Sequence, residues 1–241
     1  MKILSDTWLS TLIKRETYRI QVDMSDLTNE KELNLFYQHL QIDNIFLYVK
    51  IPINYLEIVH FFQETKFMIA DVNIVFEKKV SPISSLTNSN TKISFSVQSD
   101  REEVKELAKN TFKYSRFHMD KAFLPEQANL IKAEWANNYY LGNRGKWMIV
   151  AKMNNRIVGF LLILEGANKS LVIDLIGVHS ELRNRGLARQ MINYAEKELF
   201  SFHKMFVGTQ LINTPSIHFY ENMGFRTCKS YYILHYHNIK K

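Results

Sequence analysis

The chain has 241 residues, of which 46% are hydrophobic, 13% aromatic and 23% charged. A chain of this size buries enough surface to fold without disulfide or metal staples, and this composition excludes global disorder. Its 31 Lys and Arg outnumber 24 Asp and Glu, a net charge of +7, which points to an anionic partner: nucleic acid, a membrane surface or a phosphorylated small molecule.

The charge is unevenly spread. Residues 1–91 carry 9 Lys and Arg against 11 Asp and Glu, whereas residues 92–241 carry 22 against 13. The positive field therefore belongs to the C-terminal part. The lone cysteine, Cys228, excludes a disulfide framework and is expected to be a small packing residue. The longest apolar runs, such as 160–164, fall far below the roughly 20 residues that span a bilayer. Asp6 falls where a signal peptide needs apolar residues, so a cytoplasmic protein is expected.

The first 80 residues alternate between strand and helix patterns. Strands are expected at 18–22, 44–50 and 67–76, with helices at 29–40 and from Pro52 to 64. This segment carries no recognisable chemical motif. The stretch SPISSLTNSNTK, residues 81–92, is a loop-like run of Ser, Thr and Asn with one Pro, which puts a boundary near residue 90. Two domains are expected: 1–90, a small α/β unit, and 91–241.

Past the boundary, residues 92–98 alternate as a strand. Ser99 and Glu102 have capping-box spacing for a helix to about Asn110. Pro125 opens a second helix to about Tyr139. Strands 147–153 and 156–164 flank Asn154-Asn155, a hairpin signal, and 171–178 is a further strand. Helical periodicity covers 181–200, a short strand 205–209, and Thr214-Pro215 reads as the start of a helix to Met223. Strand-like sequence closes the chain at 225–236.

The segment VIDLIGVHSELRNRGLARQMI, 172–192, carries the chemistry. A buried strand runs into a short loop, and then Arg183-x-x-Gly186-x-Ala188 opens a helix. Backbone N–H groups at a helix start lack intrahelical partners, and the helix dipole favours an anion there. Gly186 and Ala188 are small enough for a diphosphate to approach, and Arg183 and Arg185 add charge. Some 27 residues after Gly186 comes NTPSIHFYENMGF, 213–225.

Together the two motifs resemble the signature of the GCN5-related N-acetyltransferases over residues 92–237. The resemblance implies an α/β (α+β) fold with a central mixed, mostly antiparallel sheet flanked by helices. It implies an acyl-CoA co-substrate, acetyl-CoA or another, with no metal. The pyrophosphate is expected on Arg183, Asn184, Arg185, Gly186, Leu187 and Ala188. A backbone N–H in Ile176-Gly177-Val178 is expected to polarise the thioester carbonyl. Asn213 is expected to contact pantetheine or order the loop. Tyr220 is expected to protonate the departing sulfur.

The segment 114–120, YSRFHMD, lies where this family builds its acceptor site. With Trp135 it resembles the TDP-fucosamine acetyltransferases, which also carry a smaller N-terminal α/β domain. The implied acceptor is the amino group of a dTDP-linked dideoxysugar, in a homodimer. Ser115, Arg116, Phe117, Asp120 and Trp135 are then the expected substrate contacts, with Arg116 on a phosphate and Phe117 stacked on a thymine or sugar face. For the general base, His118 and Asp174 are candidates beside Asp120, or a water chain. A protein N-terminus or polyamine is the alternative acceptor. Lys and Arg are too scattered for a nucleic-acid surface, so that partner is not expected. His235 and His237 share one face of a terminal strand and are expected to be exposed.

Overall fold

Ile45, Phe46, Leu47, Val49 and Ile51 have no exposed surface. Such a run of apolar residues marks a strand covered on both faces. The computed structural model describes residues 1–81 and 91–239; the expected linker at 81–92 falls largely outside them. The strands are β1 (Lys2–Ser5), β2 (Glu16–Gln21), β3 (Ile45–Pro52), β4 (Met68–Lys79), β5 (Lys92–Phe95), β6 (Trp147–Met153), β7 (Arg156–Gly166), β8 (Ser170–Val178), β9 (Lys204–Gln210) and β10 (Arg226–Asn238). The helices are α1 (Thr7–Ile13), α2 (Glu30–Leu40), α3 (Leu56–Glu64), α4 (Arg101–Thr111), α5 (Arg116–Met119), α6 (Pro125–Tyr140), α7 (Leu187–Glu198) and α8 (Thr214–Asn222).

All ten strands form one sheet in the order β1-β2-β3-β10-β4-β9-β8-β7-β6-β5. Pairs β2–β3 and β8–β9 are parallel and the others antiparallel, the mixed and mostly antiparallel sheet expected. The C-terminal strand β10 lies between β3 and β4, and β4 pairs with β9. The sheet therefore runs unbroken across residue 90. The cores keep some separation. One gathers side chains from 1–67 with Tyr232, Leu234 and Tyr236 from β10, and another packs α7 and α8 under β7, β8 and β9 with Ile74 and Phe76 from β4. A third joins Leu9, Ile13 and Phe46 to Phe117, Phe123 and Ile131, so the two segments share a core there.

Several local expectations are corrected. Residues 2–13 form a strand and a helix, with Asp6 capping the helix through a 3.0 Å bond from the Leu9 N–H. Pro52 ends β3, paired with Tyr231, and α3 starts only at Leu56. The Ser99 capping box does not form: a 3₁₀ turn at Gln98–Asp100 precedes α4, and Asp100 instead accepts from the Val97 N–H. Asn213 takes the N-cap position of α8 without a side-chain capping bond, with Thr214 as the first helical residue. Asn154 and Asn155 both have positive φ, which a tight two-residue hairpin requires. Cys228 is exposed on β10 rather than packed.

Two irregularities set up the site. β8 and β9 pair only from Ser170–Lys204 to Ile173–Val207, although β8 runs on to Val178 and β9 to Gln210. The two parallel strands thus fork at their C-terminal ends, the end where α/β sheets place ligands. Ladder registers also slip at Asp174 in β8 and at Ala70, next to Asp71, in β4. Bulges of this kind re-aim side chains.

Because β10 draws both its neighbours from 1–90, residues 91–241 expressed alone leave it without a partner. That fragment is expected to aggregate, whereas 1–90 and 91–241 co-expressed as separate chains are expected to co-purify, as read by tag pull-down and gel filtration.

Candidate active site

The fork exposes backbone. The His179 N–H donates to the Val158 carbonyl on β7 at 2.9 Å. Since strand residues alternate, Gly177 also faces β7, and Ile176 and Val178 turn their N–H groups toward the edge that β9 has left. Gly177 is required by packing: a Cβ there would sit 2.6 Å from the Phe160 ring. The turn after β8 holds Asn184 and Gly186 at φ of 61° and 77°, left-handed conformations that suit Asn and Gly. The helix starts at Leu187, not near residue 181, because these two residues break the turn. Its first internal bond is Gln190 N–H to the Gly186 carbonyl, 3.0 Å, so the N–H groups of Leu187, Ala188 and Arg189 have no intrahelical acceptor. The Cβ of an alanine at Gly186 would meet only the Gln190 side chain, at 3.9 Å.

Arg183 departs from expectation. Its guanidinium bonds the Thr111 carbonyl at 2.9 Å and the Val178 carbonyl at 3.4 Å, tying the turn to the end of α4. Asn184 and Arg185 are exposed beside it, Ala188 is half-buried, and Leu187 is buried in the core. Asn213, at the N-cap position of α8, donates to Thr209 Oγ1 at 3.3 Å.

Tyr220 lies in the same core as Ile176 and Val178, with Phe76 and Phe225 against its ring. Burial pushes its phenol pKa up, so it stays protonated at neutral pH. Among the described residues its hydroxyl makes no hydrogen bond, which leaves that proton free to donate.

Asp174 is corrected as a candidate base. Its carboxylate accepts from Trp135 Nε1 at 2.7 Å, from the Tyr139 hydroxyl at 2.8 Å, and from Arg144 through two bonds of 2.6 and 2.8 Å. A carboxylate so fully engaged anchors its neighbours rather than taking a proton. It orients Trp135, whose ring carries the Arg144 guanidinium at 4.2 Å and the Lys132 ammonium at 4.8 Å.

Ser115 and Asp120 flank the single-turn helix α5, and most of the segment 115–120 faces inward. Phe117 is 1% exposed inside the core shared with Phe46, so it has no face free to stack on a ligand. Ser115 is buried and bonds His118 Nδ1 at 2.6 Å, while His118 Nε2 bonds Asn129 Oδ1 at 2.9 Å. Because that oxygen only accepts, the hydroxyl must donate to Nδ1, and both ring nitrogens are used. Burial lowers the His118 pKa as well, so it is a neutral strut. It borders a cleft of about 350 Å³ between Phe112, Lys113, Phe123 and Asn129.

Asp120 binds no ligand-facing group either. It accepts from His235 Nδ1 at 2.6 Å and His237 Nε2 at 2.8 Å, and Arg15 donates to His237 Nδ1 at 2.9 Å. The two histidines are thus buried and half-buried, not exposed. Hydrogen bonding to both imidazoles holds the Asp120 carboxyl well below its usual range, and burial pulls His235 down to about 4. These three side chains could hold a metal by proximity, but the guanidinium of Arg15 already fills His237 Nδ1 and places a cation beside them.

Residues 1–90 carry no motif, yet Tyr48 and Lys50 of β3 and Asp71 of β4 lie against α5 and α6. The half-buried Arg116 lies 4.0 Å from the Tyr48 ring centre, and Tyr48 donates to Asp6 at 2.8 Å. Lys50 donates to Asn73 at 3.0 Å and shares the field of Arg116 and Asp71. Lys132, 8% exposed, forms no hydrogen bond or ion pair among the described residues. Burial draws its pKa down to about 8, and Asp174 and Asp71 oppose that. Burial pushes Asp71 up to about 6, against the contrary pull of Gln210, Arg116 and Lys132. A polar residue at a bulge, next to Ala70, is the one signal that structure adds for Asp71 and that spacing in a sequence does not carry.

Replacing Asp174 with Ala orphans the Arg144 guanidinium, Trp135 Nε1 and the Tyr139 hydroxyl at once. Removing one partner of a buried pair costs about 3 kcal/mol or more, so a Tm several degrees lower is expected by thermal denaturation, and Asp174→Asn is expected to lose less because it keeps one accepting oxygen.

Comparison with known proteins agrees with this geometry. The model of the acetyltransferase (GNAT) family matches residues 103–225. The spore coat polysaccharide biosynthesis protein SpsD of Bacillus subtilis (strain 168) is 26% identical over 240 residues, 95% of this chain and 80% of that one. In fold, the chain is similar to a GCN5-related N-acetyltransferase from Sphaerobacter thermophilus, with a TM-score of 0.65 at 12% identity, covering 98% of this chain and 76% of that one. It is also similar to a GCN5-related glucosamine N-acetyltransferase region of a fungal multi-domain β-N-acetylglucosaminidase, with a TM-score of 0.65 at 15% identity over 92% of this chain and 30% of that one. Among the described residues no helix is long and apolar enough to cross a membrane. The family match over half the chain, on the elements that build the β8–β9 fork, makes this protein a member of the GNAT acetyltransferase family, an N-acyltransferase that draws on acetyl-CoA or another acyl-CoA.

Proposed function

We propose that this enzyme transfers an acetyl group, or a longer or hydroxylated acyl group, from acyl-CoA to the amino group of a dTDP-linked amino-dideoxyhexose used in surface polysaccharide synthesis. The observation that carries the reading is the electropositive, aromatic wall beside the fork: Arg116 on Tyr48, and Lys132 and Arg144 on Trp135. Cations on aromatic faces suit an acceptor that combines sugar rings with a diphosphate. A protein N-terminus or a polyamine is a cation and gains nothing from that field. The name of SpsD, a polysaccharide biosynthesis protein, points the same way. A cytoplasmic homodimer is part of the proposal.

In this reading the pyrophosphate of acyl-CoA rests on the N–H groups of Leu187 and Ala188, with Arg185 at its edge. The thioester carbonyl receives a hydrogen bond from Ile176 or Val178, a preorganised donor worth about 3 kcal/mol to the transition state. The amine attacks the carbonyl carbon, the C–S bond breaks, and Tyr220 passes its proton to sulfur. Arg183 and Asp174 act by holding the turn and the wall.

The test is thiol release from acetyl-CoA and a longer acyl-CoA with a panel of dTDP-amino-dideoxyhexoses. Turnover of at least one sugar is expected, and turnover only with peptides or polyamines contradicts the acceptor assignment. Tyr220→Phe is expected to slow thiol release by roughly 100-fold with acyl-CoA affinity unchanged by calorimetry; equal rates would remove Tyr220 from the acid role. Gly186→Val forces a branched residue into positive φ and is expected to weaken acyl-CoA binding about tenfold, a cost of ~1–2 kcal/mol.

A further inference from the structure

The side chains first in line to deprotonate the acceptor are occupied: Asp174 by four hydrogen bonds, His118 by two, and Asp120 by two imidazoles and the Ala122 N–H. One carboxylate at the wall is held more loosely. Asp71 sits on β4 opposite Ile233, directly after the register slip at Ala70. The β4–β9 ladder ends at Asn73–Gln210, so Asp71 lies just past it, across β9 from the fork that β9 opens from β8. Its contacts are the Val72 N–H and the Gln210 side chain from β9.

From these placements we propose that Asp71 is a catalytic residue, the proton acceptor for the substrate amine. The assignment rests on the N-acyltransferase reading above, and it draws a catalytic group from the segment that carries no motif.

The ammonium of the acceptor gives one proton to the Asp71 carboxylate, leaving a neutral amine. That amine forms the C–N bond to the thioester carbonyl carbon. The tetrahedral adduct breaks its C–S bond as Tyr220 protonates sulfur. The excess proton on nitrogen then returns to the Tyr220 phenolate, and Asp71 releases its own proton to water.

The surroundings favour this direction. Arg116 from α5, Lys132 from α6 and Lys50 from β3 face Asp71, with Lys229 of β10 beyond Lys50. A positive field disfavours an ammonium placed within it and drives its proton toward the nearest base. Lys132 rests on the Trp135 ring at 4.8 Å and forms no ion pair among the described residues, so its charge adds to that field. A carboxyl raised to about 6 by burial also matches a base that works near neutral pH.

Asp71→Asn keeps the shape and removes the basic oxygen. With the acceptor sugar, kcat is expected to fall roughly 100-fold at pH 7, KM and acyl-CoA affinity to stay within about twofold, and the rise of the wild-type rate through pH 6 to vanish. An acceptor whose amine is already neutral at the assay pH is expected to lose far less. A rate within threefold of wild type, with the same acidic limb, would overturn the assignment. A second measurement needs no substrate. The carboxyl ¹³C titration present in wild type and absent in Asp71→Asn is expected near pH 6, and a midpoint near 4 would overturn the proposal. Failure of every amino sugar would count against the acceptor alone and leave this titration decisive for Asp71.

Discussion

β8 and β9 stop pairing after Ile173 and Val207, and the rest of the site depends on that separation. Had the ladder continued, the N–H groups of Ile176 and Val178 would be spent inside the sheet, and no donor would remain for a carbonyl. Ile176 and Val178 are half-buried, so their N–H groups stay open to a ligand that enters the fork. After the fork come, in sequence, a turn with two left-handed residues, then a helix start with open N–H groups. Arg183 stabilises the arrangement by joining the turn to α4 through the Thr111 carbonyl.

A second constraint is the sheet's continuity. β10, the last strand, pairs with β3 and β4, so the first 80 residues are built into the same sheet as the fork. Tyr48, Lys50 and Asp71 thereby face Arg116, Lys132 and the Asp174 cluster. The uneven charge of the chain then has a local meaning. The C-terminal excess supplies Arg116, Lys132 and Arg144, and the acidic N-terminal segment supplies Asp6 and Asp71 that temper them. Asp174 holds the α6 side in place, and Asp120 with His235, His237 and Arg15 clamps α5 to β10.

How much of this was legible beforehand depends on the range of the interaction involved. The β8 strand and the helix that follows Asn213 are set by local pattern, and the structure places both where their spacing predicts. The start of α7 was placed six residues early because helical periodicity extends back over residues whose φ is positive. For Phe117 and Asp120 the resemblance implies ligand contacts, and the structure turns both inward. Their partners are His235, His237 and Phe46, more than 70 positions away, and no spacing within 114–120 reports them. Asp71 was invisible for the same reason: its character comes from α5, α6 and β9 packing around a bulge.

The central claim is that the β8–β9 fork receives the acyl thioester. It is tested most directly by a crystal structure with a non-hydrolysable acyl-CoA analogue. The account predicts the pantetheine arm running between β8 and β9, the acyl carbonyl within hydrogen-bond distance of the Ile176 or Val178 N–H, and the pyrophosphate at the start of α7. An analogue bound elsewhere, with the fork closed or empty, would contradict it.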